Sequence, residues 1–293
     1  MHYTGTLYRN PYEPPSPLLE ITQGCTHNKC KFCTMYRDVP FRPSPIEWVE
    51  EDLAEIAEYA PDTRRLQLIG ADPFCMSFER LDRICDLVHK YLPRVDTMTM
   101  AARVTNVMNK SVEELKILRE KGMVEVNLGV ESGDDWTLER IEKGYRASDI
   151  LEQCRKLDEA GISYWMTFLN GVAGRSHSHE HAVNSAKIFS QCHPSVVGTG
   201  GLTLFPGTPL LEEARRGEFD PLSEKEMLIE LKTFVENLAC DSAFITHHTI
   251  SGVNLTGPDF LGRKEKIVAA LGSVISNGDM DRLAAIRGSK RNL

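Results

Sequence analysis

The sequence predicts an α/β fold built on a parallel sheet, and three observations predict it. Short apolar, β-branched runs alternate with longer amphipathic stretches along the chain. The strand–helix alternation repeats in one order, which implies parallel strands joined by right-handed crossovers. Gly122 and Gly161 each close a helical pattern just before a strand, where a C′ glycine belongs. Periodicity alone leaves open whether such a sheet is open or curled into a barrel.

The candidate strands are 18–22, 66–70, 97–102, 124–130, 164–170 and 196–205. Between the first two, Ile46, Val49, Leu53 and Ile56 recur at helical spacing and define one apolar face. Ser44-Pro45-Ile46-Glu47 predicts a capping box at that helix's start, with proline in the first turn. Ser111-Val112-Glu113-Glu114 and Ser223-Glu224-Lys225-Glu226 repeat the signature. Beyond residue 206 the patterns are mainly helical, with a further strand expected at 243–250. No linker, low-complexity stretch or internal repeat interrupts the chain. The expected organisation is a lead segment 1–17, a core 18–219 and a helical extension 220–293 of the same domain.

With 293 residues, 41% of them hydrophobic and 26% charged, the chain can bury one large core. Its formal net charge of -8 argues against a nucleic-acid backbone as partner. The first residues, MHYTGTLYRNPYEPPSP, lack the apolar stretch of a signal peptide, and no apolar run is long enough to span a membrane. The expectation is a cytoplasmic protein with reduced thiols.

In parallel α/β folds ligands gather at the C-terminal ends of the strands, so the loops after each strand carry the chemistry. After the first comes Cys25-Thr-His-Asn-Lys-Cys30-Lys-Phe-Cys33, a C-x4-C-x2-C spacing. Three thiolates on one loop can face a soft, multi-iron centre, and three protein ligands on a four-iron cube leave one iron open to a small molecule. The alternative is a structural zinc site, which needs a fourth ligand such as His27, Cys75 or Cys85. Cys75, Cys85, Cys154, Cys192 and Cys240 stand singly and read as packing residues. His177, His179 and His181 form an H-x-H-x-H run in which the first and last share a helix face. A polar loop and helix start is the favoured reading over a metal site, and His247-His248 reads as structural.

From residue 21 to residue 219 the chain resembles the radical S-adenosylmethionine (radical SAM) superfamily. Its commonest cysteine motif is C-x3-C-x2-C, so the first gap here is one residue longer. Phe32 matches the aromatic residue that precedes the third cysteine near the SAM adenine. Gly70-Ala71-Asp72-Pro73 resembles a Gly-Gly-Glu-Pro stretch that holds the SAM amino group, with Asp72 in place of the longer glutamate. A turn residue before proline is the competing reading of Asp72. Arg103, after the third strand, is similar to an arginine of the branch with B12-associated and methylthiolating members, which implies pairing with the SAM carboxylate; a structural arginine is its competing reading. Gly129-Val130-Glu131-Ser132-Gly133 resembles the same branch and marks Glu131 as a SAM-contacting acid. Phe168-Leu-Asn-Gly-Val-Ala-Gly174 and Leu204-Phe-Pro-Gly-Thr-Pro209 fit the family's later strand ends.

The resemblance implies a partial (β/α)6 TIM-like barrel holding a [4Fe–4S] cluster on Cys25, Cys30 and Cys33, and S-adenosylmethionine as second cofactor. It implies one-electron cleavage of SAM to a 5′-deoxyadenosyl radical that takes hydrogen from a substrate, with flavodoxin or ferredoxin as electron donor. No cobalamin-binding region, second cysteine cluster or appended RNA-binding region is expected from the sequence, and that expectation favours a small molecule or a peptide as substrate. Tyr36, Arg37, Arg42, Asn170, Arg175 and Thr203 are candidates for its surroundings. A non-catalytic iron–sulfur carrier or sensor is the alternative.

Overall fold

The computed structural model describes residues 1–10, 12–248 and 255–288, with backbone alone at 247, 248 and 286–288. The chain divides into two compact units. Unit one comprises Met1–Asn28, Met35–Gly129 and Glu152–Tyr164, and unit two comprises Lys29–Thr34, Val130–Leu151 and Trp165–Leu293.

Unit one holds β1 (Leu18–Glu20), β2 (Thr22–Gln23), β3 (Arg42–Pro43), β4 (Arg65–Ile69), β5 (Thr97–Ala102) and most of β6 (Met123–Glu131). β1, β4, β5 and β6 are parallel neighbours in that order, with Leu18 beside Gln67, Arg65 beside Thr97 and Ala102 beside Leu128. The first strand is shorter than expected. Past Ile21 the chain leaves the parallel ladder, and Thr22 pairs antiparallel with Pro43. The helix Ile46–Tyr59 buries Val49, Leu53 and Ile56, three of the four residues on the anticipated face. Its expected capping box does not form. The Ser44 amide is already committed to the Ile21 carbonyl at 3.0 Å, so Pro45 takes the cap position with no side-chain bond. The box at Ser111 does form: its Oγ accepts from the Glu114 amide at 3.1 Å, and Glu114 accepts from the Ser111 amide at 2.7 Å. Gly122 and Gly161 adopt φ of +90° and +71° at the ends of their helices, the left-handed turn that glycine permits.

One face of β4 to β6 is apolar, with Leu66, Leu68, Met98, Met100, Val126 and Leu128 buried. The alternate residues Arg65, Thr99, Glu125 and Asn127 are polar, and the leading segment satisfies them. Glu13, 5% exposed, accepts from Arg65 Nε at 2.8 Å and from Thr99 Oγ1 at 2.7 Å. Arg65 also pairs with Glu125 at 3.1 Å, and Asn10 Nδ2 donates to Asn127 Oδ1 at 3.1 Å.

Unit two holds the last two residues of β6, nearly all of β7 (Ser163–Asn170), β8 (Val196–Gly201) and β9 (Ala243–His248). β7, β8 and β9 are parallel neighbours, with Trp165 beside Val196 and Val196 beside Ala243. β8 stops at Gly201 rather than at 205. The Phe205 carbonyl instead accepts from Thr208 Oγ1 at 2.7 Å, in the turn that starts the helix Pro209–Arg215. The expected strand 243–250 is found as far as His248; Thr249 and Ile250 lie outside the described residues. The further helices of this mainly helical stretch among the described residues are Glu224–Asn237, begun by the Ser223 box, Phe260–Asn277 and Met280–Gly288. Stacking of Phe168 on Phe234, with ring centres 4.0 Å apart, packs β7 against the first of these.

Candidate cofactor site

The cysteine loop begins in unit one. Gly24 has φ of +68°, and a Cβ there would stand 2.6 Å from the carbonyl oxygens of Val39 and Pro40, so no other residue fits. Cys25 Sγ accepts the Asn28 amide at 3.5 Å. Burial and the nearby Asp72 carboxylate push the Cys25 thiol up. Asn28, itself at φ of +48°, closes the loop by donating Nδ2 to the carbonyls of Tyr36 at 2.8 Å and Arg37 at 3.1 Å. In unit two the Cys33 amide reaches the Cys30 carbonyl at 3.2 Å, closing a turn that contains Phe32. Lys31 pins that turn: its amide donates to Ile141, its carbonyl accepts from Leu210, both at 3.1 Å, and its ammonium pairs with Glu213 at 2.9 Å. Phe32 packs on the core of Ile141, Val172, Leu202, Leu210 and Phe219.

The other cysteines are packing residues. Cys85, Cys154, Cys192 and Cys240 are buried, and Cys75 is half-buried. Burial pushes Cys75 and Cys85 up to about 12, so they stay thiols. Among the described residues no group of three or more His, Cys, Asp or Glu side chains is placed to hold a single ion. A four-iron cube is a different case, because its cysteines bind separate irons.

After β4, Gly70 has φ of +148°, and a Cβ there would lie 2.0 Å from Thr22 Oγ1. Asp72 is completely buried. Its carboxylate accepts from the Thr26 amide at 3.2 Å, from the Thr26 hydroxyl and from Asn106 Nδ2 at 3.5 Å. The acid thus joins the end of β4 to the residue following Cys25. A carboxylate has about four acceptor positions, so one remains. Arg103 donates its amide to Asn106 Oδ1 at 2.6 Å and starts the helix Val104–Met108. Behind them Lys110, 2% exposed, donates to the Phe74 carbonyl at 2.7 Å and lies over the Phe74 ring at 4.5 Å. Burial pulls its ammonium down to about 8.

At the end of β6, Glu131 has φ of +67°, a left-handed conformation rare for a residue with a side chain. Lys143 stands 3.5 Å from its Oε1 and 5.6 Å from the Phe32 ring centre, so one buried ammonium faces both. Lys143 sits in a turn between Glu142 at φ +54° and Gly144 at φ +83°. Within the Gly-Val-Glu-Ser-Gly string Gly133 meets a packing requirement: a Cβ there would meet Ser185 Cα at 2.8 Å.

The histidine run does not converge. His177 pairs with Asp134 at 3.0 Å and lies against Trp136, His179 is exposed, and His181 is buried against Glu230 at 3.1 Å. The side chains of His247 and His248 lie outside the described residues. Asn170 is buried and donates to the Met227 carbonyl at 2.8 Å, Arg175 pairs with Glu226 at 3.0 Å, and Thr203 is half-buried. Sequence reading missed Thr26, Asn106, Lys110 and Lys143. Only Lys143 carried a signal, a cation just before a glycine turn after the Glu131 strand.

The family model described as the radical SAM superfamily matches residues 19–189. The heme chaperone HemW of Bacillus subtilis (strain 168) is 29% identical over 140 residues, 46% of this chain and 36% of that protein. An uncharacterised protein of Methanocaldococcus jannaschii is 24% identical over 75% of this chain and 71% of its own length. Among solved structures, the radical SAM methyltransferase TsrM from Kitasatospora setae superposes with a TM-score of 0.56 and 18% identity over 68% of this chain and 39% of that one. Methylornithine synthase superposes with a TM-score of 0.53 and 17% identity over 92% of this chain and 85% of that one. These likenesses show the fold alone, the α/β architecture of a partial TIM-like barrel. Among the described residues no helix is long and apolar enough to cross a membrane.

Proposed function

The chain belongs to the radical SAM superfamily, and on that premise we propose that it holds a [4Fe–4S] cluster on Cys25, Cys30 and Cys33 and cleaves S-adenosylmethionine to act on a small molecule or a peptide. The structurally similar methyltransferase TsrM was captured once with a [4Fe–4S] cluster and once with a SAM analogue. The observation that carries the reading is the trio of cysteines within nine residues, inside the matched stretch. The donor set fits: three thiolates suit a cube with one iron left for a small ligand. In this reading residues 18–219 carry the cofactors and 220–293 are a helical extension.

When bound, the two cofactors supply a one-electron reductive cleavage that gives methionine and a 5′-deoxyadenosyl radical. The chain's own residues bind and orient. Asp72 offers its remaining acceptor position to an ammonium while Thr26 and Asn106 hold it still. Arg103 offers a planar donor pair to a carboxylate. Glu131, held by Lys143, accepts hydrogen bonds at the end of β6. Gly70 lets backbone approach closely, and the Phe32 ring offers a flat apolar face. A one-electron carrier such as flavodoxin or ferredoxin is the expected reductant.

Anaerobically reconstituted protein should be brown and should form 5′-deoxyadenosine from SAM with dithionite, and Cys30→Ala should lose both properties. Protein that carries a full cluster yet never cleaves SAM overturns the enzymatic reading in favour of a carrier or sensor. Glu131→Ala separates the two as well, because a carrier has no use for that acid.

A further inference from the structure

A buried acid and a buried histidine in unit two meet at a single backbone amide. Glu230 lies on the helix Glu224–Asn237 and His181 on the helix Ser178–Phe189. One Glu230 oxygen accepts from His181 Nδ1 at 3.1 Å, and the other accepts from the Gly171 amide. The His181 ring stacks on Phe168 with centres 4.7 Å apart, which fixes its direction. Its Nε2 has no hydrogen-bond partner among the described residues, so the bond to Glu230 is the polar contact that the ring supplies. A buried carboxylate is costly unless hydrogen bonds meet it, and a bond to a charged group outweighs one to a neutral group. Two helices thus spend a charged acceptor on one amide at the end of β7.

That amide starts the path to the cysteine turn. β7 ends at Asn170, whose carbonyl accepts from the Leu202 amide and whose Nδ2 donates to the Met227 carbonyl, both at 2.8 Å. Gly171 is the first residue past the ladder, and its φ of +86° turns the chain aside. Val172 follows, donates its amide to the Leu169 carbonyl at 3.3 Å, and joins the core that holds Ile141 and Leu210. Those two residues are the ones bonded to Lys31, and Phe32 packs on the same core. Protein interiors are close-packed and transmit strain, so a shift at Gly171 reaches Val172 first and then the turn resting on it.

We propose that His181 and Glu230 are positioning residues for the cofactor site: by holding the Gly171 amide they set the core beneath Lys31 and Phe32, and so the placement of the Cys30–Cys33 turn. That this placement governs SAM affinity rests on the proposed function; that the pair holds the turn does not. Glu230→Met keeps the chain length and removes both acceptors. His181→Phe keeps a ring on Phe168 and removes the donor that aims Glu230, and it decides alone should Glu230→Met not fold. Glu230→Gln is the conservative rescue, because its oxygen can accept from Gly171 while its nitrogen meets His181. Phe260→Leu, in the core against Phe244, controls for general loosening of unit two. Hydrogen–deuterium exchange of the full chain without added cofactor is read at residues 29–34 and 169–174. Both segments should exchange about tenfold faster in Glu230→Met and His181→Phe, and at nearly the natural rate in Glu230→Gln. The inference is overturned if 29–34 does not respond, if Glu230→Gln loosens it as much as Glu230→Met, or if Phe260→Leu does the same. In reconstituted enzyme Glu230→Met should raise KM for SAM about tenfold and leave kcat nearly unchanged. A loosened turn with an unchanged KM breaks the link to SAM. Natural protein that never cleaves SAM removes the proposed function and leaves the exchange result standing.

Discussion

Lys110 and Lys143 are both buried amines, and each is expected to matter in a different way. Lys110 supports the turn beside Asp72. Burial holds it at about 8, whereas in the unfolded chain it titrates near 10.5. Between those values the unfolded chain binds more protons, so stability rises with pH. In urea unfolding the natural protein should therefore gain on Lys110→Met from pH 7 to pH 9; a constant difference would refute the burial argument. The comparison ends there because Cys75, pushed up to about 12, works in the opposite direction above pH 9. At pH 7 the substitution should cost about 1–3 kcal/mol, since it strips the Phe74 carbonyl of its donor. Lys143 faces Glu131 instead. Lys143→Met should weaken SAM binding by about 1.5–3 kcal/mol, roughly ten- to 150-fold by calorimetry, and Lys143→Arg should restore part of it. Neither lysine was legible as buried. Their partners Phe74 and Glu131 stand at no spacing that a motif could encode, whereas Cys25, Gly70, Asp72, Arg103 and Glu131 each follow a recognisable strand end.

At the scale of single elements, local chemistry was readable where nothing else competed for it. The boxes at Ser111 and Ser223 close as written, because each serine lies in a loop with its amide available. Ser44 carries the same signature and does not cap, because its amide is drawn into pairing with Ile21. Ser223→Ala should cost about 0.5–2 kcal/mol in thermal or denaturant unfolding, and Ser44→Ala less. Equal losses would mean that the cap bonds are not what separates them. The ends of β1 and β8 fell short of the apolar runs for a similar reason: the Thr22 backbone pairs with Pro43, and the Phe205 carbonyl turns toward Thr208. Apolarity predicts burial, and burial does not require a strand.

At the scale of the whole molecule, the parallel α/β order followed from periodicity, but the polar face of β4 to β6 did not. Alternation of Arg65, Thr99, Glu125 and Asn127 with apolar residues reads as strands half open to water. In unit one that face is instead met by Glu13 and Asn10, far away in sequence. Glu13→Gln should lower unit-one stability by about 1–3 kcal/mol, seen as a shifted denaturation midpoint, because Arg65 and Thr99 lose a charged acceptor. The leading segment is largely without helix or strand, yet several of its amides are held: His2 by Asp52, Thr4 by Glu20, and Tyr12 and Glu13 by Asn10. In deuterium labelling a coil normally exchanges at once. Here those amides should take up label slowly and nearly together, at the pace at which Glu13 parts from Arg65.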